Sequence, residues 1–301
     1  MNKVKSKERE GEIYIFFEVL LWSLFPVITI LSYHNVIPLV SLAWSTLFAA
    51  ILFGLLVFTK RKLYELKDIA ALKDILMTTL IIGIGFYSFY FLGLQYTTAG
   101  NASIIAQTEV LFSFIFFHLL RKEHISKQHI YGIILLTIGA MVILLPNVHS
   151  INKGDMLVVL AVLIAPLGNF FQRRARTRVS SETIMFTRSI ISTVFLFGLI
   201  YITQGTLHLE KVSSSLLFLV INGVLLLGVS KILWIEGIHR INVTKANALN
   251  SLGPLLTLLF AWFLLGEHPQ LLQIAAFIPM FFGIILLGKK VEDNSETIIP
   301  E

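Results

Sequence analysis

The sequence predicts an all-α integral membrane protein with ten transmembrane helices arranged as two inverted five-helix repeats. Three observations lead there. The 301 residues are 56% apolar and only 14% charged, whereas a soluble domain carries about 25% charged residues. Lys and Arg fall almost wholly on alternate connections between apolar runs. The chain also matches itself when shifted by 144 residues.

A chain this apolar cannot cover itself with polar groups in water, but in lipid its outer surface can stay apolar. A span needs about 20 mainly apolar residues. Ten stretches qualify, near 12–32, 37–59, 74–96, 98–120, 130–145, 155–172, 183–203, 215–238, 242–265 and 271–288. The fifth and sixth are short. The first follows a basic start, MNKVKSKEREGE, and runs longer than the apolar part of a signal peptide. It therefore reads as a retained span. The third and fourth spans, and the eighth and ninth, are joined by tight connections that suit antiparallel hairpins.

Basic residues orient these spans. If the N-terminus is cytoplasmic, the inner connections and tails hold every Lys and Arg outside the spans except Lys153 and Lys211. That bias follows the positive-inside rule and puts both tails, 1–11 and 289–301, in the cytoplasm. The membrane is then a cell membrane, of the bacterial or archaeal inner-membrane type. The net charge of +6 comes from this placement, so no nucleic-acid partner is implied.

The repeat aligns residues 93–143 with 237–287 without a gap, with ten identities in 51 positions. They include Gly93 with Gly237, Ala102 with Ala246, and Glu123-His124 with Glu267-His268. The halves are then 12–145 and 155–288. Each holds an odd number of spans, so the second half is inverted relative to the first. Inverted repeats are common among secondary transporters, which open alternately to the two sides.

At these residues the chain resembles the EamA-type members of the drug/metabolite transporter superfamily. The resemblance covers about 12–288. It rests on the five-plus-five pattern, on Gly93-Leu94-Gln95-Tyr96-Thr97-Thr98-Ala99 with Ala102 and Glu123, and on Gly237, Ala246, Pro254 and Leu264-Leu265-Gly266-Glu267. Two positions depart from the family pattern. Val110 stands where a proline is common in the fourth span, and Trp44 where an arginine is common in the second. The repeat-equivalent position of Trp44 holds Arg188. The resemblance implies efflux or uptake of small metabolites, often amino acids; with the inverted halves, the expected activity is alternating-access transport, chiefly export, of an amino acid or related amphiphilic solute. It implies no ATPase domain, and the Walker motif GxxxxGK[ST] is absent from the sequence. It also implies a central cavity built mainly from spans one, three, four, six, eight and nine. A different class, a membrane-embedded enzyme or flippase acting on a lipid, would need His and acidic residues clustered at one interface. The eight His are scattered. The tails are too short for a sensor domain.

With no cysteines, disulfides, thiolate metal sites and Cys nucleophiles are excluded. No cofactor, metal site, catalytic residue or oligomeric state is indicated. The Glu-His pairs lie at opposite membrane sides, so they read as helix-end hydrogen bonding.

Charges inside spans cost about 2.5–3.5 kcal/mol each even on the lenient insertion scale, so each needs a partner or a wet cavity. Glu18, Glu109, Arg188 and Lys231 stand out. Glu18, Arg188 and Lys231 share an inner layer by residue count, which makes a buried charge network with Glu18 paired to Lys231 or Arg188. The alternative is that both cations snorkel to the interface. Glu109 lies near the midplane with no span cation at its depth. It is either a polar residue satisfied by a Thr or Asn, or a pathway carboxylate for a substrate amine or a coupling proton.

The substrate-binding candidates are completed by Trp22, Tyr87, Tyr90 and Trp234, and by Asn101, Asn169 and Asn250. Aromatic faces hold apolar groups or cations; singly, each is equally at home in core packing. The amides, with Gln107 and Asn247, serve either a solute or helix–helix hydrogen bonding. Pro26, Pro166 and Pro254 are expected helix interruptions, with Pro26 and Pro166 at nearly equivalent places in the two halves. Gly83 and Gly85 are expected to let helices approach closely.

Overall fold

The computed structural model describes residues 2–121, 127–144, 152–204, 209–241, 246 and 249–288. Among them the regular elements are helices. The apolar helices, in chain order, are α1 (Glu8–Ser32), α2 (Pro38–Thr59), α3 (Ile69–Leu94), α4 (Ala99–Phe117), α5 (Lys127–Ile143), α6 (Lys153–Arg176), α7 (Ser181–Gln204), α8 (Val212–Ile238), α9 (Gly253–Leu265) and α10 (Leu271–Leu287). Seven of these are long and apolar enough to cross a membrane; α5, α9 and α10 are shorter. The chain is a multi-pass membrane protein. Its outer surface is apolar, with Phe16, Leu55, Phe58, Ile202, Phe263 and Leu271 all exposed, which lipid favours and water does not.

Polar side chains set several boundaries. α3 starts earlier than expected because Asp68 caps it, its Oδ1 accepting from Ala71 N at 2.9 Å. Asn152 does the same for α6 through Gly154 N at 2.8 Å. α9 ends on Gly266, whose φ of 71° is a left-handed cap that favours glycine. That turn brings Glu267 back over the start of α4, where its Oε2 accepts from Ala99 N at 3.1 Å. The helix-end role expected of this residue is therefore the one it takes. Glu123-His124 and Asn247 lie outside the described residues.

Several helices are irregular inside. α1 turns at Leu24 and restarts at Phe25. Pro26 sits in the first turn of the restarted segment, where a missing N–H is harmless. Ser23 O at this break accepts from Thr257 Oγ1 of α9 at 2.8 Å. Pro254 likewise opens α9, after a turn at Ser251 and Leu252. Pro166 does not interrupt its helix, contrary to expectation: α6 runs unbroken from Lys153 to Arg176. A buried proline is tolerated inside a membrane helix because neighbouring helices and side chains re-satisfy the backbone. The matched interruptions fall elsewhere. α4 breaks at Gln107, whose repeat equivalent is Ser251. Thr79–Phe86 of α3 and Ile221–Val229 of α8 are both π-helical, and a shift of 144 residues nearly superposes them.

The two most extensive interfaces join α5 to α10 and α2 to α7. Glycines bring the first pair close. A methyl group on Gly283 would lie 2.9 Å from Gly132 O, and one on Gly132 would lie 3.0 Å from Gly283 O. α1 packs on α8 as α6 packs on α3, and α4 meets α9. Each of these contacts joins one half of the chain to the other.

The two ends of the bundle are tied by polar groups. At one end, the short 3-10 helix Leu63–Lys67 docks on the start of α7. Glu65 Oε2 accepts from Ser180 N at 2.8 Å, Ser180 Oγ at 2.7 Å and Thr183 Oγ1 at 2.6 Å. Lys60 and Lys62 pair with Glu182 at 2.6 and 2.9 Å. At the other end, Asp155 accepts from Thr97, and Gln273 Nε2 donates to Asn101 Oδ1 at 2.8 Å.

Candidate functional site

Aromatic rings gather where α1 breaks and where the π-helix of α3 ends. Trp22 stacks on Phe25, centroids 4.5 Å apart and planes 7° apart. Phe25 meets Tyr87 at 6.2 Å, Tyr90 at 5.6 Å and Phe91 at 5.9 Å. Phe86 closes the group, 5.1 Å from Tyr87 and 5.8 Å from Tyr90.

Both of the span cations singled out rest on these rings. Lys231 Nζ lies 3.2 Å from the centroid of Trp22. The Arg188 guanidinium lies 5.8 Å from that of Tyr87 and donates from Nη1 to Gln172 Oε1 at 3.3 Å. Lys231 and Tyr87 each follow a π-helical segment. Gly83 in the α3 segment lets α7 approach, since a methyl group there would lie 3.1 Å from Arg188 Cγ.

Two carboxylates complete a charge quartet. Asn169 Nδ2 donates to Glu109 Oε1 at 2.9 Å. Glu18 is buried, and its Oε2 has no hydrogen-bond partner among the described residues. Lys231 is within electrostatic reach of Glu18, Glu109 and Arg188. Two sequence expectations change here. Glu109 does have a span cation near it, Lys231, because the breaks in α1 and α4 and the π-turns in α8 shift depths away from straight-helix counting. Glu18 is also not in a direct ion pair: among the described residues no pair within 4.0 Å joins it to Lys231 or Arg188. The Lys231 ammonium takes the Trp22 face instead. Snorkelling does not describe Arg188, which is 6% exposed and points at Tyr87 and Gln172.

Trp22, Glu109, Asn169, Gln172 and Lys231 are half-buried, while Tyr87, Tyr90, Glu18 and Arg188 are buried. The half-buried set holds unused donors and acceptors beside aromatic faces, which suits a small solute with charged and apolar parts. Three candidates lie elsewhere. Trp234 packs with Ile15, Val19 and Ile241. Asn101 bonds Gln273 at the opposite end of α4's first segment, eight residues or about 12 Å from Glu109. Asn250 is half-buried in the segment before α9. Phe25, Phe86 and Gln172 were not singled out from sequence. Two are apolar residues in apolar spans, and Gln172 sits at a predicted span end, so none carried a signal.

A bundle of apolar helices that holds two acidic and two basic side chains near one another defines a membrane-embedded protein with a polar interior. Residues 9–145 and 152–289 each match the EamA-like transporter family, and the chain belongs to that family. It is 21% identical over 253 residues to the uncharacterized transporter YoaV of Bacillus subtilis, covering 83% of this chain and 86% of that protein. A protein of Salmonella typhimurium named a probable amino-acid metabolite efflux pump is 25% identical over 222 residues, 69% of this chain and 73% of that one. A solved crystal structure shares the fold at a TM-score of 0.66 and 18% identity, covering 92% of this chain and 95% of its own. The relatives are named transporters, and this chain is a transporter-family membrane protein rather than an enzyme.

Proposed function

We propose that the chain is a ten-span secondary carrier exporting a small amphiphilic metabolite of the amino-acid kind by alternating access. The shorter helices α5, α9 and α10 complete the spans, and the halves 12–145 and 155–288 are inverted copies. Both termini are cytoplasmic in a bacterial or archaeal type of inner membrane, so the Glu65 end of the bundle faces the cytoplasm. The observation that carries this reading is the quartet of Glu18, Glu109, Arg188 and Lys231 beside Trp22, Phe25 and Tyr87. Arg188 and Lys231 offer donors to a carboxylate, Glu109 an acceptor to an ammonium, and the rings a surface for an apolar side chain. The matched irregularities of α3 and α8, and of α4 and α9, support two halves moving against each other. Irregular backbone in paired membrane helices is where such carriers bind their solutes.

The test is counterflow in liposomes holding the purified protein, preloaded in turn with a panel of unlabelled L-amino acids. Exchange of at least one zwitterion, lost in Arg188→Ala, is the expected result. A panel in which nothing exchanges above empty liposomes sinks the reading.

A further inference from the structure

The two carboxylates of the quartet differ in one respect. Glu109 takes a hydrogen bond from Asn169. Glu18 is 2% exposed and its Oε2 takes none among the described residues. An ionised carboxylate in apolar surroundings gathers any donor within reach. Lys231 is the cation that acts on Glu18 through space, and it has three donors on a flexible stem. Its ammonium nevertheless lies on Trp22, 3.2 Å from the centroid. Glu18 and Trp22 are four residues apart, so they are neighbours on one face of α1. The same ammonium therefore meets Trp22 by contact and Glu18 through space.

We propose that Glu18 is a proton-binding residue and that Lys231 swings between Trp22 and Glu18 as the proton arrives and leaves. With the proton on Glu18 the carboxyl is neutral and the ammonium rests on the ring, as in this structure. When the proton departs, the carboxylate draws the ammonium to itself and the Trp22 face is freed. Resting on the carrier reading, this makes proton release from Glu18 the step that opens the aromatic face to a solute.

The surroundings of Glu18 leave Lys231 as its partner. From α8, Glu236 and Arg240 lie at the helix end, where they pair at 2.5 Å and Arg240 also meets Glu10 at 3.7 Å. α9, which also packs on α1, has no titratable side chain between Gly253 and Leu265. Arg188 from α7 and Glu109 from α4 act on Lys231. Tyr87 and Tyr90 face the same region from α3 across Phe25.

The swing is read without any solute. Of the four tryptophans, Trp44, Trp234 and Trp262 are changed to Phe, and the emission of Trp22 is titrated in lipid nanodiscs. The expected result is one step with pH, as the ammonium leaves the ring. Glu18→Gln and Lys231→Met each lose the step, with Glu18→Gln held at the acid-side emission. Glu18→Asp keeps a step with a moved midpoint, as does Glu109→Gln. Gel filtration and circular dichroism establish that each protein is folded, and Glu18→Asp carries the test if Glu18→Gln is not. A step that survives in Glu18→Gln overturns the proposal. So does emission that stays flat in the parent between about pH 4 and 10, the range over which carboxylates and most lysines titrate. A step without counterflow would leave the proton site standing and remove the carrier reading; counterflow without a step would do the reverse.

Discussion

The cluster at Glu65 and the quartet around Lys231 use the same kinds of residue and end in opposite conditions. Glu65 collects three donors from Ser180 and Thr183, and Glu182 next to them collects two lysines. Around Lys231, two cations and two carboxylates share one hydrogen bond from Asn169 and one to Gln172. The first arrangement is what folding alone would select, because buried or half-buried polar groups are stable when paired. The second leaves valences open in the middle of an apolar bundle, where open valences are expensive. Such a conflict between local chemistry and stability is expected at a site kept for function. The difference teaches that a charge in a sequence says little until its partners are counted.

The largest effect that would sharpen this comparison is on transport. Lys231→Met is expected to lower counterflow about tenfold or more, equivalent to roughly 1.4 kcal/mol of lost interaction. Thermal unfolding of the same variant should hold steady or improve, because an apolar side chain of similar volume often replaces a buried charge without loss. A variant that unfolds early while the folded fraction still transports would put Lys231 with Glu65, among the structural residues, and break the comparison.

Next in size is the structural cluster itself. Glu65→Ala strands three donors at the start of α7. Each lost hydrogen bond is worth about 1 kcal/mol, and the partial exposure of Glu65 discounts the sum. A total destabilisation of about 1–2 kcal/mol is expected in thermal or denaturant unfolding. Counterflow per folded molecule should change by less than about twofold, a difference below roughly 0.4 kcal/mol.

These contrasts were only partly legible in the sequence. Apolar runs and the placement of Lys and Arg outlined the helices because a bilayer imposes length and orientation directly. The in-span charges were legible for the same reason, since each is costly wherever it lies. Their partners were not. Depth counted at a constant rise put Glu109 away from every cation, but α4 breaks at Gln107 and α8 is π-helical over Ile221–Val229. Neither feature has a proline to announce it. Conversely, Pro166 announced a break that α6 does not make. Trp234 and Asn101 shared the residue types of the site but pack elsewhere, Trp234 against Ile15 and Val19 and Asn101 against Gln273.

The Glu65 cluster also has a pH signature. Burial raises the Glu65 carboxyl, but hydrogen bonds from Ser180 and Thr183 and the charge of Lys62 outweigh it, and the folded pKa lies below the ordinary 4.5. A lowered folded pKa means the folded state binds its proton less readily than the unfolded chain. The stabilisation is therefore complete above about pH 4.5 and is lost as pH falls through the lowered folded value. Melting temperature plotted against pH should drop more steeply below that point in the parent than in Glu65→Gln. Parallel curves would mean that the cluster stabilises nothing.

The smallest effect separates two bonds made by a single side chain. Asp68 caps α3 through Ala71 N at 2.9 Å and faces Arg178 across 3.9 Å. The cap satisfies a helix N–H that has no partner in the helix itself, so Asp68→Ala is expected to cost about 1 kcal/mol. The ion pair is long, and its side chains are 54% and 32% exposed, so water already solvates both charges. Arg178→Ala should therefore shift stability by less than about 0.5 kcal/mol. Raising the salt concentration should erase what remains of the ion pair, since exposed charges are screened, and leave the cap untouched. If Arg178→Ala matched Asp68→Ala in unfolding, satisfaction of backbone donors would not be what distinguishes the structural end of this molecule from its centre.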